Sequence, residues 1–190
     1  MKLTNGKGHN MITTERLFIR NLMEEDKSLI FKLYRCKSDF EEDFEYRKIL
    51  DDVLWKEVTA ENICNGIIFL NDTKEFVGKV CIQFTDRIIP EIGIDILEKY
   101  RNKGYGPEAV VAFLNRFSKD NNVYKVKAKI FKDNSHSIHV FEKLGAEFVK
   151  SVPSFEKELI NKLTEKLPNE DISRLYEENI NEYILNIPIK

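Results

Sequence analysis

Apolar and polar side chains alternate along Thr14-Glu15-Arg16-Leu17-Phe18-Ile19-Arg20, with Leu17 and Ile19 on one side, which predicts a first strand with one buried face. The period then changes. Leu29, Ile30, Leu33 and Tyr34 recur at helical spacing over 24–36, behind an acidic first turn of Glu24, Glu25 and Asp26. Residues 39–52 interleave seven carboxylates with Phe40, Phe44 and Tyr46, the pattern of a helical or irregular solvated surface. Strands are predicted at 66–70 and 76–83, joined by Asn71-Asp72-Thr73-Lys74, whose Asn and Asp favour a hairpin turn. A further β-rich run covers 91–97.

Gly104-Tyr105-Gly106-Pro107 opens a helical stretch with an apolar face of Val110, Val111, Phe113, Leu114 and Phe117, ended by Asn121-Asn122. Residues 124–131 alternate again. Tyr124, Val126, Ala128 and Ile130 fall on one side and Lys125, Lys127 and Lys129 on the other, which predicts a half-exposed strand. Residues 135–144 read as a short helix stopped by Gly145, where the chain must turn left-handed. A polar helix-prone stretch at about 155–179 reads as an insertion before a last strand within 183–189. Strands alternating with helices predict an α/β or α+β sheet domain.

With 190 residues, 42% hydrophobic and 13 Phe, the chain has enough apolar surface for one compact domain over 11–190. Gly6, Gly8 and Asn10 precede any periodic pattern, so 1–10 read as a flexible extension. The net charge of −2 provides no cationic field for a nucleic-acid partner. Cys36, Cys64 and Cys81 are odd in number and lack a CxxC, which indicates neither a disulfide framework nor a zinc site. No apolar run long enough for a signal peptide or a membrane span occurs, and the expected location is the cytoplasm.

The chemistry concentrates where Glu91-Ile92-Gly93-Ile94-Asp95-Ile96-Leu97 is followed by Arg101-Asn102-Lys103-Gly104-Tyr105-Gly106 and a helix. A strand ending in a glycine-bearing loop before a helix aims free N–H groups and the positive end of the helix dipole at one spot, which suits a pyrophosphate. Arg101 and Lys103 add cations. Two glycines two apart also fit an ordinary turn at a helix start, and there is no Gly-Lys-Ser/Thr and no third Rossmann glycine.

In its surroundings the segment resembles the acetyl-coenzyme A loop of the GNAT superfamily of N-acetyltransferases, Arg/Gln-x-x-Gly-x-Gly/Ala, matched by Arg101, Gly104 and Gly106. A second motif of that family, Asn-x-x-Ser/Ala with a Lys-Leu-Gly-Phe-like end, is matched by Asn134-Ser135-His136-Ser137 and Lys143-Leu144-Gly145-Ala146. The opening Thr14-Glu15-Arg16-Leu17-Phe18-Ile19-Arg20 is similar to that of the ribosomal-protein alanine N-acetyltransferase (Rim-type) branch. The resemblance spans about 12–150. It implies a mixed, mostly antiparallel sheet of six to seven strands flanked by helices, and direct transfer of an acetyl group from acetyl-coenzyme A to an amine.

The resemblance further implies that Arg101, Asn102, Lys103, Gly104, Tyr105, Gly106 and Pro107 surround the pyrophosphate. It places the backbone of Ile94, Asp95 and Ile96 along the pantetheine arm, with Asn134, Ser137 and Phe141 near its thioester end. Asn134 is equally a good helix N-cap, and both roles can hold at once. Glu91 and Ser137 are the catalytic candidates. Glu91 is expected to take the amine's proton, although a solvated position at the strand start after Pro90 explains it as well. Where the family commonly carries a tyrosine acid this chain has Phe141, which leaves Ser137, a water or no acid for the leaving thiolate, and keeps open a non-catalytic acyl-coenzyme A-binding domain. His136 and His139 share a helix but lack further ligands, so no metal is expected. The acidic clusters at 39–52 and 156–178 suggest a cationic acceptor, a small molecule or a peptide N-terminus, and surface solvation accounts for them almost as well. The assembly is expected to be a monomer or homodimer.

Overall fold

The computed structural model describes residues 11–35, 44–84, 88–153 and 179–189. Their contacts gather into two compact units, Met1–Tyr124 with Ile187–Lys190, and Lys125–Asn186. The expected N-terminal extension and nearly all of the insertion at 155–179 lie outside the described residues, as do Cys36 and the first part of the acidic segment.

In the first unit, strands β1 (Ile12–Thr13), β2 (Leu17–Asn21), β3 (Ile63–Leu70), β4 (Phe76–Gln83) and β5 (Glu91–Ile96) pair antiparallel in sequence order. The single strand expected at 14–20 is instead a short hairpin. Thr14-Glu15-Arg16 form its turn, because the Thr14 N–H donates to the Leu17 carbonyl (2.8 Å) and the Thr14 hydroxyl accepts from the Leu17 N–H (2.9 Å). Leu17 and Ile19 are fully buried, as the alternation predicts, whereas β3 and β4 are buried almost without interruption and so show no period of two.

Helices α1 (Lys27–Arg35), α2 (Phe44–Val58) and α3 (Tyr105–Asn121) belong to the same unit. The acidic residues expected to open α1 form a separate 3-10 turn, Glu24–Asp26. Asp26 is 1% exposed and closes that turn by accepting from the Met23 N–H (2.8 Å), while Arg20 grips both its oxygens at 2.7 Å. A bidentate guanidinium–carboxylate pair is among the stronger charge-assisted contacts. It joins the end of β2 to the start of α1. Helix α3 buries Ala109, Val110, Phe113, Leu114 and Phe117, and Asn122 ends it in the left-handed region at φ 54°.

The second unit contains β6 (Lys125–Phe131), α4 (Ser135–Lys143), β7 (Glu147–Val152) and β8 (Ile180–Asn186), with β8 paired antiparallel to both other strands. Gly145 stops α4 at φ 89°, as expected. The reading of 124–131 needs correction at two residues. Tyr124 precedes the strand and is 63% exposed, and Lys127 is buried at 7%. A lysine can hide its aliphatic stem in a covered strand, so alternation of residue type does not report alternation of exposure there. The described residues hold eight strands rather than six or seven, because β1 is too short to carry a period and every residue from Glu147 to Lys150 is exposed.

Removing the carboxylate in Asp26→Ala leaves the Arg20 guanidinium partly buried without its counter-ion. The variant is expected to lose on the order of 3 kcal/mol of stability, read as a lower urea midpoint at unchanged m-value. A midpoint within error of the wild type contradicts the structural weight given to this pair.

Candidate active site

Strand β5 ends at Ile96, a 3-10 turn follows at Glu98–Tyr100, and the chain reaches α3 through Arg101, Asn102, Lys103 and Gly104. Two of these four residues are left-handed, Asn102 at φ 60° and Gly104 at φ 80°. Asparagine tolerates that region and glycine adopts it freely. Gly104 is also the N-cap residue of α3, and a Cβ there would stand 3.2 Å from Nη2 of Arg16. Gly106 differs: among the described residues a Cβ on it would meet only Ile96 Cγ1 at 3.8 Å, so no contact with them demands glycine there.

Among the described residues, the N–H groups of Lys103, Gly104, Tyr105 and Gly106 meet no protein acceptor. Pro107, in the first helical turn, has no N–H to satisfy. Residues 101–104 are exposed. The result is an open set of donors at the positive end of a 17-residue helix, the arrangement that holds phosphate oxygens. Arg101 is turned back, its Nε donating to the Ile96 carbonyl at 3.2 Å. The Lys103 ammonium lies 5.6 Å from the Tyr100 ring centre.

This loop is held from the other end of the chain. Arg16 donates through Nη1 to the Lys103 carbonyl (2.9 Å) and through Nε to Glu108 Oε2 (2.7 Å), and its guanidinium lies 4.8 Å from the Tyr105 ring centre. The Thr14 hydroxyl and the Arg16 N–H donate to the other Glu108 oxygen. Asn71 lies in the expected β3–β4 turn, and there its side chain also donates to the Thr14 carbonyl at 2.9 Å, while its N–H donates to the Arg16 carbonyl at the same distance. Thr14 and Arg16 were legible as a motif. Their partner Glu108 was not, since nothing local in the sequence points across 92 residues.

On β5 the side chains of Glu91, Gly93 and Asp95 share one face and Ile92, Ile94 and Ile96 the other. Glu91 stands at the start of the strand, roughly 17 Å from its end at 3.3 Å per residue. In register across β4, Lys79 lies opposite Asp95, Cys81 opposite Gly93 and Gln83 opposite Glu91. From α1, the Tyr34 hydroxyl donates to Asp95 Oδ2 in a long hydrogen bond of 3.3 Å. The Lys79 ammonium lies 5.4 Å from the Tyr34 ring centre, and the residue is only 5% exposed.

Burial works against the charge on Lys79, but Cys81, Tyr34 and Asp95 outweigh it and keep its pKa above the ordinary lysine value. Burial raises both the Tyr34 hydroxyl and the Cys81 thiol, with Asp95 adding to each and Lys79 opposing. No local pattern signals that Tyr34 of α1 reaches Lys79 and Asp95. Asp95, expected along the cofactor arm, thus directs its side chain to Tyr34 and α1.

In the second unit, Asn134 caps α4, its Oδ1 accepting from the Ser137 N–H at 3.1 Å, so the capping role is present. Asn134 is exposed, Ser137 is half-buried and Phe141 is 3% exposed, a core position. His136 and His139 are exposed. No group of three or more metal-ligating side chains occurs among the described residues, and no helix there is long and apolar enough to cross a membrane.

The family model described as an acetyltransferase (GNAT) domain matches residues 16–147. Two Bacillus subtilis (strain 168) proteins are similar. One, the uncharacterized N-acetyltransferase YnaD, is 26% identical over 156 residues, covering 75% of this chain and 88% of its own. The other, the uncharacterized protein YkkB, is 24% identical over 155 residues, covering 77% and 90%. Among solved structures, the dodecameric spermidine N-acetyltransferase of Vibrio cholerae superposes with a TM-score of 0.66 at 17% identity, over 91% of this chain and 95% of that one. A domain from Methanocaldococcus jannaschii gives 0.63 at 22%, over 90% and 98%.

Burial pushes the Glu108 carboxyl up, but the hydrogen bonds from Thr14 and Arg16 outweigh it and hold the pKa below the ordinary 4.5. A depressed folded-state pKa contributes stability above the unfolded value that is lost as pH falls through the folded one. Wild type is therefore expected to exceed Glu108→Gln in urea midpoint at about pH 6, with the gap closing below about pH 4. A gap independent of pH would show that the Glu108 charge is not what holds Arg16.

Proposed function

The chain belongs to the acetyltransferase (GNAT) family, and on that premise we propose that it transfers the acetyl group of acetyl-coenzyme A directly to a primary amine. The open N–H groups of Lys103, Gly104, Tyr105 and Gly106 carry this reading. They are the donors a pyrophosphate needs, and the room beside Gly106 lets the anion approach the backbone. Bound there, acetyl-coenzyme A supplies an activated thioester. Its extended arm follows the backbone of Ile94, Asp95 and Ile96, which would carry the reacting end away from the loop and toward Glu91.

Glu91 takes the proton that makes the acceptor amine nucleophilic. The amine nitrogen then bonds to the thioester carbonyl carbon, the carbon–sulfur bond breaks, and the thiolate leaves. Asn134 and Ser137 bind near the thioester, with Ser137 as the hydroxyl available to the departing sulfur. Phe141 donates no proton, and its burial makes it a packing residue. Thiolates leave readily enough for catalysis to proceed without a strong acid.

The acceptor is read as a small cationic amine or a protein N-terminus. The spermidine N-acetyltransferase of similar fold supports the first, and the Thr14-Glu15-Arg16-Leu17 opening, through the ribosomal-protein alanine branch it resembles, supports the second. Fold alone does not choose between them.

Acetyl-coenzyme A and coenzyme A are expected to raise the melting temperature, and ATP and NAD to leave it unchanged, because a ligand that binds only the folded state must stabilise it. Gly104→Val is expected to abolish that shift. Thiol release from acetyl-coenzyme A with an amine panel follows, and Glu91→Gln is expected to lower kcat by about a hundredfold or more. No shift with either coenzyme A form overturns the reading. A shift without release from any amine assigns the chain to acyl-coenzyme A binding instead.

A further inference from the structure

Two backbone bonds bracket the loop after β5. The Arg101 N–H donates to the Glu98 carbonyl at 3.1 Å, and the Gly104 carbonyl accepts from the Glu108 N–H at 3.3 Å. Between them the Lys103 carbonyl accepts from Arg16 Nη1 at 2.9 Å, its only donor among the described residues. That carbonyl and the Gly104 N–H belong to one trans peptide group, so they point in opposite directions from the same plane. Holding the carbonyl toward Arg16 therefore turns the Gly104 N–H away from it, and this N–H is one of the four donors left open to an anion.

Nothing in the peptide itself fixes that direction. Flipping it changes ψ of Lys103 and φ of Gly104 together, and glycine populates φ of either sign. The residue that makes the left-handed turn possible thus also leaves the peptide able to reverse. A charged donor on the carbonyl selects one orientation, and it polarises the peptide so that the N–H on the far side becomes a stronger donor.

The guanidinium is itself held at both edges. Nε and Nη2 face Glu108 Oε2 in the first turn of α3, while Nη1 faces Lys103. Its backbone is fixed as well, since the Arg16 N–H donates to Glu108 Oε1 at 3.1 Å and its carbonyl accepts from the Asn71 N–H at 2.9 Å. A Cβ at Gly104 would stand 3.2 Å from Nη2, so glycine there also lets the guanidinium lie against the loop.

We infer that Arg16 is a positioning residue of the coenzyme A site: its hold on the Lys103 carbonyl turns the Gly104 N–H toward the pyrophosphate, and Glu108 aims the guanidinium that does so. The inference rests on the acetyl-transfer reading, because it takes the anion at this loop to be the pyrophosphate of coenzyme A. Arg16 touches neither the thioester nor the amine, so its signature is a selective loss of affinity for donors that carry a pyrophosphate.

The test sets acetyl-coenzyme A against S-acetylpantetheine, which has the same thioester and arm but no pyrophosphate. Wild type, Arg16→Gln, Arg16→Lys, Glu108→Gln and the Arg16→Gln/Glu108→Gln double variant are compared under conditions in which urea midpoints show each to be folded. Thiol release gives kcat and KM for both donors, and calorimetry gives the Kd of coenzyme A. Arg16→Gln is expected to raise that Kd and the acetyl-coenzyme A KM by roughly tenfold or more at similar kcat, with kcat/KM for S-acetylpantetheine unchanged. Arg16→Lys keeps the charge but not the planar fork, and is expected to fall with Arg16→Gln rather than with wild type. Glu108→Gln is expected to raise the Kd less than Arg16→Gln, and the double variant no more, since the two residues act through one contact.

A merely stabilising Arg16 lowers the urea midpoint and leaves the Kd of the folded protein unchanged. That result, an equal loss with both donors, or a lysine that restores the wild-type Kd overturns the inference and spares the acetyl-transfer reading. If Arg16→Gln does not fold, Arg16→Lys decides on the same Kd, and if wild type turns over no S-acetylpantetheine or no amine, the coenzyme A Kd decides alone. A wild type that binds no coenzyme A sinks both.

Discussion

A single guanidinium, that of Arg16, holds the candidate site in shape. The loop after β5 contains two left-handed residues, Asn102 and Gly104, and exposes its N–H groups, so it gains little from its own hydrogen bonds. Arg16 supplies the missing restraint by taking the Lys103 carbonyl, both binding the Glu108 carboxylate in the first turn of α3 and lying over the Tyr105 ring. Thr14 and the Arg16 N–H fill the remaining Glu108 acceptor positions, and Asn71 holds the hairpin turn from β3–β4. With the Lys103 and Gly104 carbonyls engaged, the N–H groups of Lys103 to Gly106 remain as donors without a protein acceptor among the described residues.

The same division of labour appears on the sheet. Strand β5 presents apolar Ile92, Ile94 and Ile96 to one side and Glu91, Gly93 and Asp95 to the other, so one short strand serves both the core and the chemistry. The polar side is not simply solvated. Tyr34 of α1 donates to Asp95 of β5, and its ring lies 5.4 Å from the buried Lys79 ammonium of β4. The polar groups of that face therefore depend on β4 and α1 as much as on β5.

Much of this was legible along the chain. The boundaries of β4, the stop at Gly145 and the cap at Asn134 follow from local rules of period, turn and capping, which act over a few residues and are written in neighbouring side chains. The loop at 101–106 could be located for the same reason. The hairpin at 12–21 was missed because a threonine side chain bonded to Leu17 makes the turn, where alternation suggested an unbroken strand. Lys127 was misplaced because a covered strand hides a lysine stem without changing its residue type.

By itself, the sequence determined where β4 and the helices after Gly104 and Asn134 lie, and that a glycine-bearing loop stands at a helix N-terminus, because those properties depend on local backbone preference and periodicity. Tertiary structure alone decided that Arg16 and Glu108 hold that loop, and that Lys79, Tyr34 and Asp95 meet on the face of Glu91. These are contacts between groups tens of residues apart, and their energies depend on burial and distance, neither of which a linear pattern records.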